Sequence, residues 1–296
     1  MKNAWVRLLA GISLAGLVCG GAVAQTIVVG GKAFTEQQIM TAMTAAILKA
    51  KGFTPDRKAG MGTAAVRSAL ENGQIDVYWE YTGTGLGVFY KITDKFPSAE
   101  AAYQKIKELD AAKGLVWLNM SPVNNTYAFA MNKDQAQKLG IVTMSDLAKA
   151  VKGGAKLTFA SNAEFYARPD GLPGWQTAYG FEFERDNVKR MDTGLVYSAL
   201  KDRQVDTGVV FATDGRIPAF NFVVLRDDKN YAPPYNMTPV VRKEILDKNP
   251  KIADALNALA AKLNNETMAR LNATVDVDKK TPEEVADQFL KANGLV

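Results

Sequence analysis

The sequence predicts an α/β protein, and three observations support this prediction. Short β-rich runs alternate with helical stretches along most of the 296 residues, a pattern that favours mainly parallel sheets. With 47% hydrophobic and 23% charged residues, the composition is that of a globular protein with room for one large or two mid-sized domains. A segment with helix, turn and strand signals also occurs twice along the chain.

The individual elements follow from local signals. A β-rich run over residues 26–29 predicts the first strand, and the capping-box pattern of Thr35 and Gln38 predicts a helix that continues to about Lys51. The chain ends in a predicted helix, because Thr281 to Glu284 supplies an N-cap, a proline and a capping glutamate. The other predicted helices cover residues 64–72, 99–113 and 144–152, and the other predicted strands cover residues 75–79, 115–120, 127–131 and 157–160.

The repeated segment predicts two similar halves. Residues 68–76 recur, with substitutions, as residues 198–206, and at the same offset Tyr81 corresponds to Phe211. Ligands of open α/β sheets bind outside the carboxyl ends of the strands. Two lobes built alike would therefore each present an aromatic ring at such an end, and facing rings would line one cleft.

The N-terminus has the pattern of a secretory signal. Lys2 and Arg7 precede an apolar run over residues 8–18, and small residues up to Ala24 precede Gln25. The run is shorter than the roughly 20 apolar residues of a membrane span. We therefore expect residues 1–24 to be a signal peptide, cleaved after Ala24, and the mature protein to be periplasmic.

The chain has no histidine, and Cys19 is its only cysteine. This composition excludes Ser-His-Asp and Cys-His catalysis, zinc fingers, haem ligation and thiol redox pairs. Lipidation of Cys19 is disfavoured because Val18 stands where a small residue is expected. Neither a Ser-Lys motif nor a phosphate loop is present, so we expect no enzyme activity, no cofactor and no metal site.

Seven short motifs lie in a characteristic order along the chain. They are residues 31–37, 69–76, 80–84, 124–127, 168–174, 213–216 and 233–236. This series resembles the substrate-binding proteins of osmoprotectant ABC transporters, which bind glycine betaine, choline and related quaternary amines. The resemblance covers nearly the whole mature chain.

The resemblance implies a two-lobed periplasmic binding protein of type II, with two crossing segments and a ligand cleft between the lobes. Residues 25–125 and 216–296 would form lobe 1, and residues 126–215 would form lobe 2. The implied partners are a small quaternary amine and a membrane permease whose ATPase drives import. A monomer that binds no nucleic acid is expected.

The resemblance also implies an aromatic cage. Its positions correspond to Tyr81, Tyr127, Phe211 and Tyr235, and Phe211 stands where a tyrosine is more common in the family. A trimethylammonium group cannot donate an N–H hydrogen bond, so ring faces are its natural partners. Phenylalanine keeps the ring face and loses the hydroxyl, which could shift affinity or ligand choice.

Three further positions match the family's contacts to the ligand carboxylate. Arg168 offers a planar fork, Lys32 follows the first strand, and Thr84 offers a hydroxyl. Asp214 is better explained as a structural acid in a turn. The alternative function is amino-acid binding on the same architecture, which would require an acidic residue placed for an α-ammonium group.

Overall fold

The structure is a computed structural model that describes residues 25–296. The expected signal peptide and Cys19 lie outside the described residues. Within them the chain forms two five-stranded sheets. In chain order the strands are β1 Thr26–Lys32, β2 Thr54–Met61, β3 Val77–Tyr81, β4 Leu115–Trp117, β5 Tyr127–Asn132, β6 Phe159–Ser161, β7 Val188–Arg190, β8 Thr207–Phe211, β9 Phe222–Val224 and β10 Met237–Arg242.

The two sheets have matching topologies. The first sheet has the strand order β2-β1-β3-β10-β4, and the second has the order β7-β6-β8-β5-β9. In each sheet the first three strands pair in parallel, while the next two pair antiparallel. The α/β prediction is confirmed, but the sheets are mixed rather than mainly parallel, because β5 and β10 run against their neighbours.

Helices lie between most strands and complete both lobes. Lobe 1 is the half built on the first sheet, and lobe 2 is the half built on the second. The helices are α1 Thr35–Ala50, α2 Thr63–Glu71, α3 Thr82–Thr84, α4 Ala99–Ala111, α5 Lys133–Leu139, α6 Met144–Lys152, α7 Ala163–Ala167, α8 Leu172–Tyr179, α9 Thr193–Lys201, α10 Arg216–Ala219, α11 Lys243–Lys248, α12 Lys251–Ala260, α13 Asn265–Asp276 and α14 Pro282–Ala292. Within this part of the chain no helix is long and apolar enough to span a bilayer.

The chain passes twice between the lobes, and the two passages run side by side. Asn124 and Asn236 form an antiparallel bridge, and the Asn125 amide donates to the Tyr235 carbonyl at 3.0 Å. The return passage lies later than the predicted boundary at residue 216, because β9 pairs with β5 in the second sheet. A three-residue edge strand is too short to show a recognisable pattern in the sequence.

Some predicted element ends differ from the observed ones. The helix that begins at Thr35 forms, but its N-cap is Phe34 and it has no side-chain cap. The predicted capping box of Thr35 and Gln38 is therefore not observed, and the Thr35 hydroxyl donates to Asp276 instead. The strand predicted over residues 75–79 is observed as β3, two residues later. The capping box of α14 is confirmed, with Thr281 and Glu284 bonded reciprocally.

The central strand of each sheet is buried along its whole length. All five residues of β3 and all five of β8 are buried, so each of these central strands carries apolar side chains on both faces. The largest core cluster contains rings from both lobes, including Tyr81, Tyr127 and Phe211. The apolar core therefore extends to the boundary between the lobes, where these rings lie.

Candidate ligand-binding site

A cavity of about 490 Å³ lies between the two lobes. β1, β3 and β8 end at its wall, and β5 begins there, in keeping with the position of ligands at strand ends in open sheets. The wall includes every residue that the sequence predicted for the site: Lys32, Tyr81, Thr84, Tyr127, Arg168, Phe211 and Tyr235. The structure thus brings together residues that are more than 200 positions apart in the chain.

The four predicted rings form part of one continuous aromatic cluster. The Tyr127 ring lies 5.1 Å from Phe211 and 5.5 Å from Tyr235, centroid to centroid. The second contact is edge-to-face, at an interplanar angle of 87°. These distances are within the favourable range for aromatic pairs. Rings from lobe 1, lobe 2 and the return passage therefore meet at one place.

A fifth ring, Phe34, was not predicted as a site residue. It stacks on Phe211 at 5.3 Å with an interplanar angle of 9°, and it lies 6.2 Å from Tyr81. Phe34 is half-buried at the N-terminus of α1, two residues after β1 ends. Its place just beyond a strand's carboxyl end is the signal by which the sequence could have identified it.

The Lys32 ammonium forms an ion pair with the carboxylate of Glu80. Its Nζ lies 2.5 Å from Glu80 Oε1 and 5.2 Å from the centre of the Tyr81 ring. Burial lowers the pKa of Lys32, and the Glu80 carboxylate acts in the opposite direction. Glu80 also accepts from the Tyr78 hydroxyl and the Tyr81 amide. Lys32 is therefore held rigidly beside a cage ring rather than extended into solvent.

The guanidinium of Arg168 is bound mainly by protein groups. Its Nε and Nη2 donate to the two oxygens of Asp170 at 2.9 and 2.6 Å. Nη1 donates to the Tyr127 hydroxyl and Nη2 to the Tyr235 hydroxyl, each at 3.2 Å. Burial would raise the pKa of Asp170, but the hydrogen bonds and charge of Arg168 lower it below its usual value. The arginine fork predicted for a ligand carboxylate is thus engaged by Asp170, and one N–H of Nη1 is left over.

Thr84 and Asp214 occupy equivalent positions in the two lobes but have different surroundings. Thr84 is buried in the cavity wall. Asp214 accepts from the backbone amide and the guanidinium of Arg216, at 2.9 and 2.6 Å. These bonds agree with the predicted role of Asp214 as a turn acid. Arg216 also lies 3.3 Å from Asp276 of α13.

A buried acid, Glu36, connects the cage to both lobes. It accepts from Tyr81 Oη at 2.6 Å, from Asn125 Nδ2 at 2.9 Å and from Thr213 Oγ1 at 2.6 Å. Asn272 Nδ2 lies 3.4 Å from its second oxygen. Burial raises the pKa of Glu36, against the lowering effect of these hydrogen bonds. Glu36 belongs to the motif at residues 31–37, yet the sequence did not indicate that its donors would come from four distant segments.

This arrangement suits binding without covalent chemistry. The ring cluster provides apolar and cation-binding surface, and each of the three cations in the cavity wall is paired with an acid: Lys32 with Glu80, Arg168 with Asp170, and Arg216 with Asp214. Among residues 25–296 no group of three acidic side chains is placed to hold a metal ion. The site thus offers rings and a few fixed donors, and its wall also carries the acids Glu164, Asp192 and Asp276.

Comparison with known proteins places this architecture in a family. The family model described as the substrate-binding domain of ABC-type glycine betaine transport systems matches residues 25–292. A glycine-betaine-binding protein of Pseudomonas aeruginosa is 44% identical over 99% of this chain and 96% of its own length. Glycine betaine-binding protein YehZ of Escherichia coli is 32% identical over 92% of each chain.

The solved structures agree with this placement. A crystal structure of a glycine betaine/carnitine/choline ABC transporter protein has a TM-score of 0.74 and 30% identity, covering 92% of this chain and 99% of its own. The two-lobed α/β fold predicted from the sequence is therefore confirmed. The chain belongs to the family of substrate-binding domains of ABC-type glycine betaine transport systems.

Proposed function

We propose that this protein captures glycine betaine or a related quaternary amine in the periplasm and delivers it to the permease of an ABC importer. The observation that carries this proposal is the cluster of Phe34, Tyr81, Tyr127, Phe211 and Tyr235 around one cavity between the lobes. Membership of a transport family supports a binding role rather than an enzymatic one.

The ring cluster explains recognition of the ammonium end. Each ring face that contacts a quaternary ammonium contributes about 0.5 to 2 kcal/mol, with the larger values where water is excluded. Tyr81 and Tyr235 are less than 5% exposed, so the ligand would be held in a largely dry environment. Rings from both lobes contact one ligand only when the lobes are together, and ligand binding therefore favours the closed state.

The carboxylate of a betaine would meet fewer donors than the family resemblance suggests. The predicted donors are the remaining N–H of Arg168, the hydroxyl of Thr84 and the ammonium of Lys32, and all three residues line the cavity. Because Lys32 and Arg168 already have acidic partners, their net attraction for a second carboxylate is reduced. Preference for glycine betaine over choline would then depend on hydrogen bonds more than on net charge.

The amino-acid alternative is less well supported by the acids at the cavity. Glu164 accepts two hydrogen bonds from Thr63, and Asp276 accepts one from Thr35 and faces Arg216. Asp192 is exposed at the rim. An α-ammonium would therefore have to displace existing bonds, whereas a quaternary ammonium needs only ring faces.

Calorimetric titration with glycine betaine, choline and lysine tests the proposal. We expect both quaternary amines to bind and lysine to give no heat. Binding of lysine alone would favour the amino-acid alternative instead.

The Arg168→Ala variant tests the carboxylate end. It should weaken glycine betaine by about 1.5 to 3 kcal/mol, the range for a hydrogen bond with a charged partner, and choline much less. Because the substitution leaves Asp170 buried without its cation, the double variant Arg168→Ala/Asp170→Ala is the control. An equal loss for both ligands in the double variant would show that Arg168 supports the scaffold rather than the ligand.

The expected cleavage of the signal peptide is tested separately. Intact-mass measurement of the exported protein should give a chain that starts at Gln25 without lipid. A diacylated N-terminus at Cys19 would contradict this.

A further inference from the structure

Glu164 connects the lobes across the mouth of the cavity. It lies on α7 in lobe 2, and both of its carboxylate oxygens accept from Thr63 in lobe 1. Oε1 accepts from the Thr63 amide and Oε2 from the Thr63 hydroxyl, each at 2.8 Å. Thr63 is 5% exposed, so this contact is shielded from solvent.

The contact supplies a helix cap that lobe 1 lacks. Thr63 is the first residue of the nine-residue helix α2, and its N-cap is Gly62, which has no side chain to accept a hydrogen bond. The first amides of a helix need acceptors from outside the helix, and an acidic group there also interacts favourably with the helix dipole. The capping group of α2 thus comes from the opposite lobe.

Glu164 is also tied to the ligand side of lobe 2. The Arg168 amide donates to the Glu164 carbonyl at 2.9 Å, so Glu164 and Arg168 stand at the two ends of one helical turn. Any movement of lobe 2 that withdraws Arg168 from the cavity also withdraws Glu164 from α2. The Arg216–Asp276 contact is different, because Arg216 makes its shorter bonds to Asp214 beside it in the chain.

We propose that Glu164 is a closure residue, which holds the lobes together by capping α2 across the cavity and thereby sets the rate of ligand release. The effect should be the same for a ligand with a carboxylate and for one without, because Glu164 acts on the lobes. The statement about release rests on the proposed function, whereas the statement about lobe closure does not.

Two variants weaken the contact by different means. Glu164→Ala removes both carboxylate oxygens, so neither hydrogen bond with Thr63 can form. Gly62→Asp places a second acid beside Glu164, since a Cβ at residue 62 would lie 3.5 Å from Glu164 Oε1. The φ of −72° at Gly62 allows any residue. Glu184→Gln, an exposed acid elsewhere on lobe 2, is the control for loss of charge.

Single-molecule energy transfer with one dye on each lobe measures closure, and stopped-flow release of glycine betaine and of choline measures the kinetic effect. Engineered cysteines can be labelled specifically in a protein that starts at Gln25, because residues 25–296 contain no cysteine. We expect both variants to favour the open state without ligand. Release of each ligand should become about five- to tenfold faster, the scale of one lost helix cap, and Glu184→Gln should behave as wild type.

The outcomes separate the possible roles. Unchanged energy transfer in both variants would overturn the proposal, and so would faster release of glycine betaine alone, which would make Glu164 a ligand contact. If neither ligand binds the wild-type protein, the proposed function fails. The energy-transfer measurement without ligand would still decide whether Glu164 holds the lobes together.

Discussion

The two copies of the repeated segment occupy equivalent places in the two lobes, yet they end differently. At the offset of 130 positions, α2 coincides with α9 and β3 with β8, residue for residue. Asp76 accepts from the Val28 amide and Asp206 from the Thr158 amide, so each acid ties its strand to the neighbouring strand of its sheet. This backbone bond is therefore the same in both lobes, although Asp76 also pairs with Arg242 and Asp206 also accepts from Gln135.

The difference lies at the cavity. The first copy ends in Tyr81, whose hydroxyl donates to Glu36. The second ends in Phe211, which has no hydroxyl, and Thr213 two residues later donates to Glu36 instead. A duplicated scaffold thus carries an asymmetric site. The comparison teaches that the two lobes share a strand framework and differ at the strand ends that line the cavity.

The largest expected effect tests the equivalence of the two supporting acids. Asp76→Ala and Asp206→Ala should each lower the free energy of unfolding by about 2 kcal/mol, because each leaves a strand amide without its acceptor. Urea denaturation measures the loss. The Asn variants, which keep one acceptor oxygen, should lose less. If one Ala variant is as stable as wild type, the two copies are not equivalent supports.

The rings at the two strand ends, unlike the two supporting acids, should make unequal contributions when they are replaced. Tyr81→Ala, Tyr127→Ala and Phe211→Ala should each weaken glycine betaine by about 1 to 2 kcal/mol, roughly tenfold. Tyr81→Ala should cost more than Phe211→Ala, because it also removes a donor from Glu36. Titration calorimetry on variants of wild-type stability measures both losses. Unchanged affinity in Tyr81→Ala and Tyr127→Ala would leave the cage without support.

Exchanging tyrosine and phenylalanine at the two strand ends tests the role of the hydroxyl group alone. Tyr81→Phe keeps the ring, and Phe211→Tyr gives the second copy the residue more common in the family. We expect weaker binding in the first variant and equal or tighter binding in the second, by the same titration. Tighter binding of Tyr81→Phe would show that its hydroxyl serves neither Glu36 nor the ligand.

The seven residues that the motifs predicted for the site all line one cavity, whereas several strands were not predicted. The sequence prediction missed Phe34, although this residue lies in the motif at residues 31–37 and just beyond the end of β1. It also missed the strands β2, β7, β9 and β10, and β7 and β9 have only three residues each. The pair of Lys32 with Glu80 depends on a contact between residues 48 positions apart, which spacing alone does not indicate. Asp170 lies only two residues after Arg168, but the motif did not show that it would engage the guanidinium.

Glu36 offers a test of how the two strand ends are joined. Its pKa is raised by burial, so its contribution to stability is present below its unfolded pKa of about 4.3 and is lost as the pH rises through its folded pKa. Glu36→Gln carries no charge at any pH. We therefore expect the stability of this variant relative to wild type to increase from pH 4 to pH 8.

Urea denaturation across that pH range measures this effect. The exposed acid Glu266 provides the control variant Glu266→Gln, which should follow the wild type at every pH. A constant difference between Glu36→Gln and wild type would mean that the buried carboxyl has the same pKa in both states.

The smallest expected effect concerns the turn of the repeat, where the two copies use different residues for the same backbone conformation. Gly73 has a φ of 72° and Arg203 a φ of 57°, both in the left-handed region that favours glycine. Gly73→Ala should therefore destabilise by about 1 kcal/mol. Arg203→Gly should change stability by less than about 0.5 kcal/mol, because relief of the backbone is offset by the greater freedom of glycine in the unfolded chain. The ion pair of Arg203 with Asp134 is more than half exposed on both sides and contributes little. Thermal unfolding of both variants checks this difference, and a large loss in Arg203→Gly would show that the arginine side chain, not the turn geometry, stabilises the second copy.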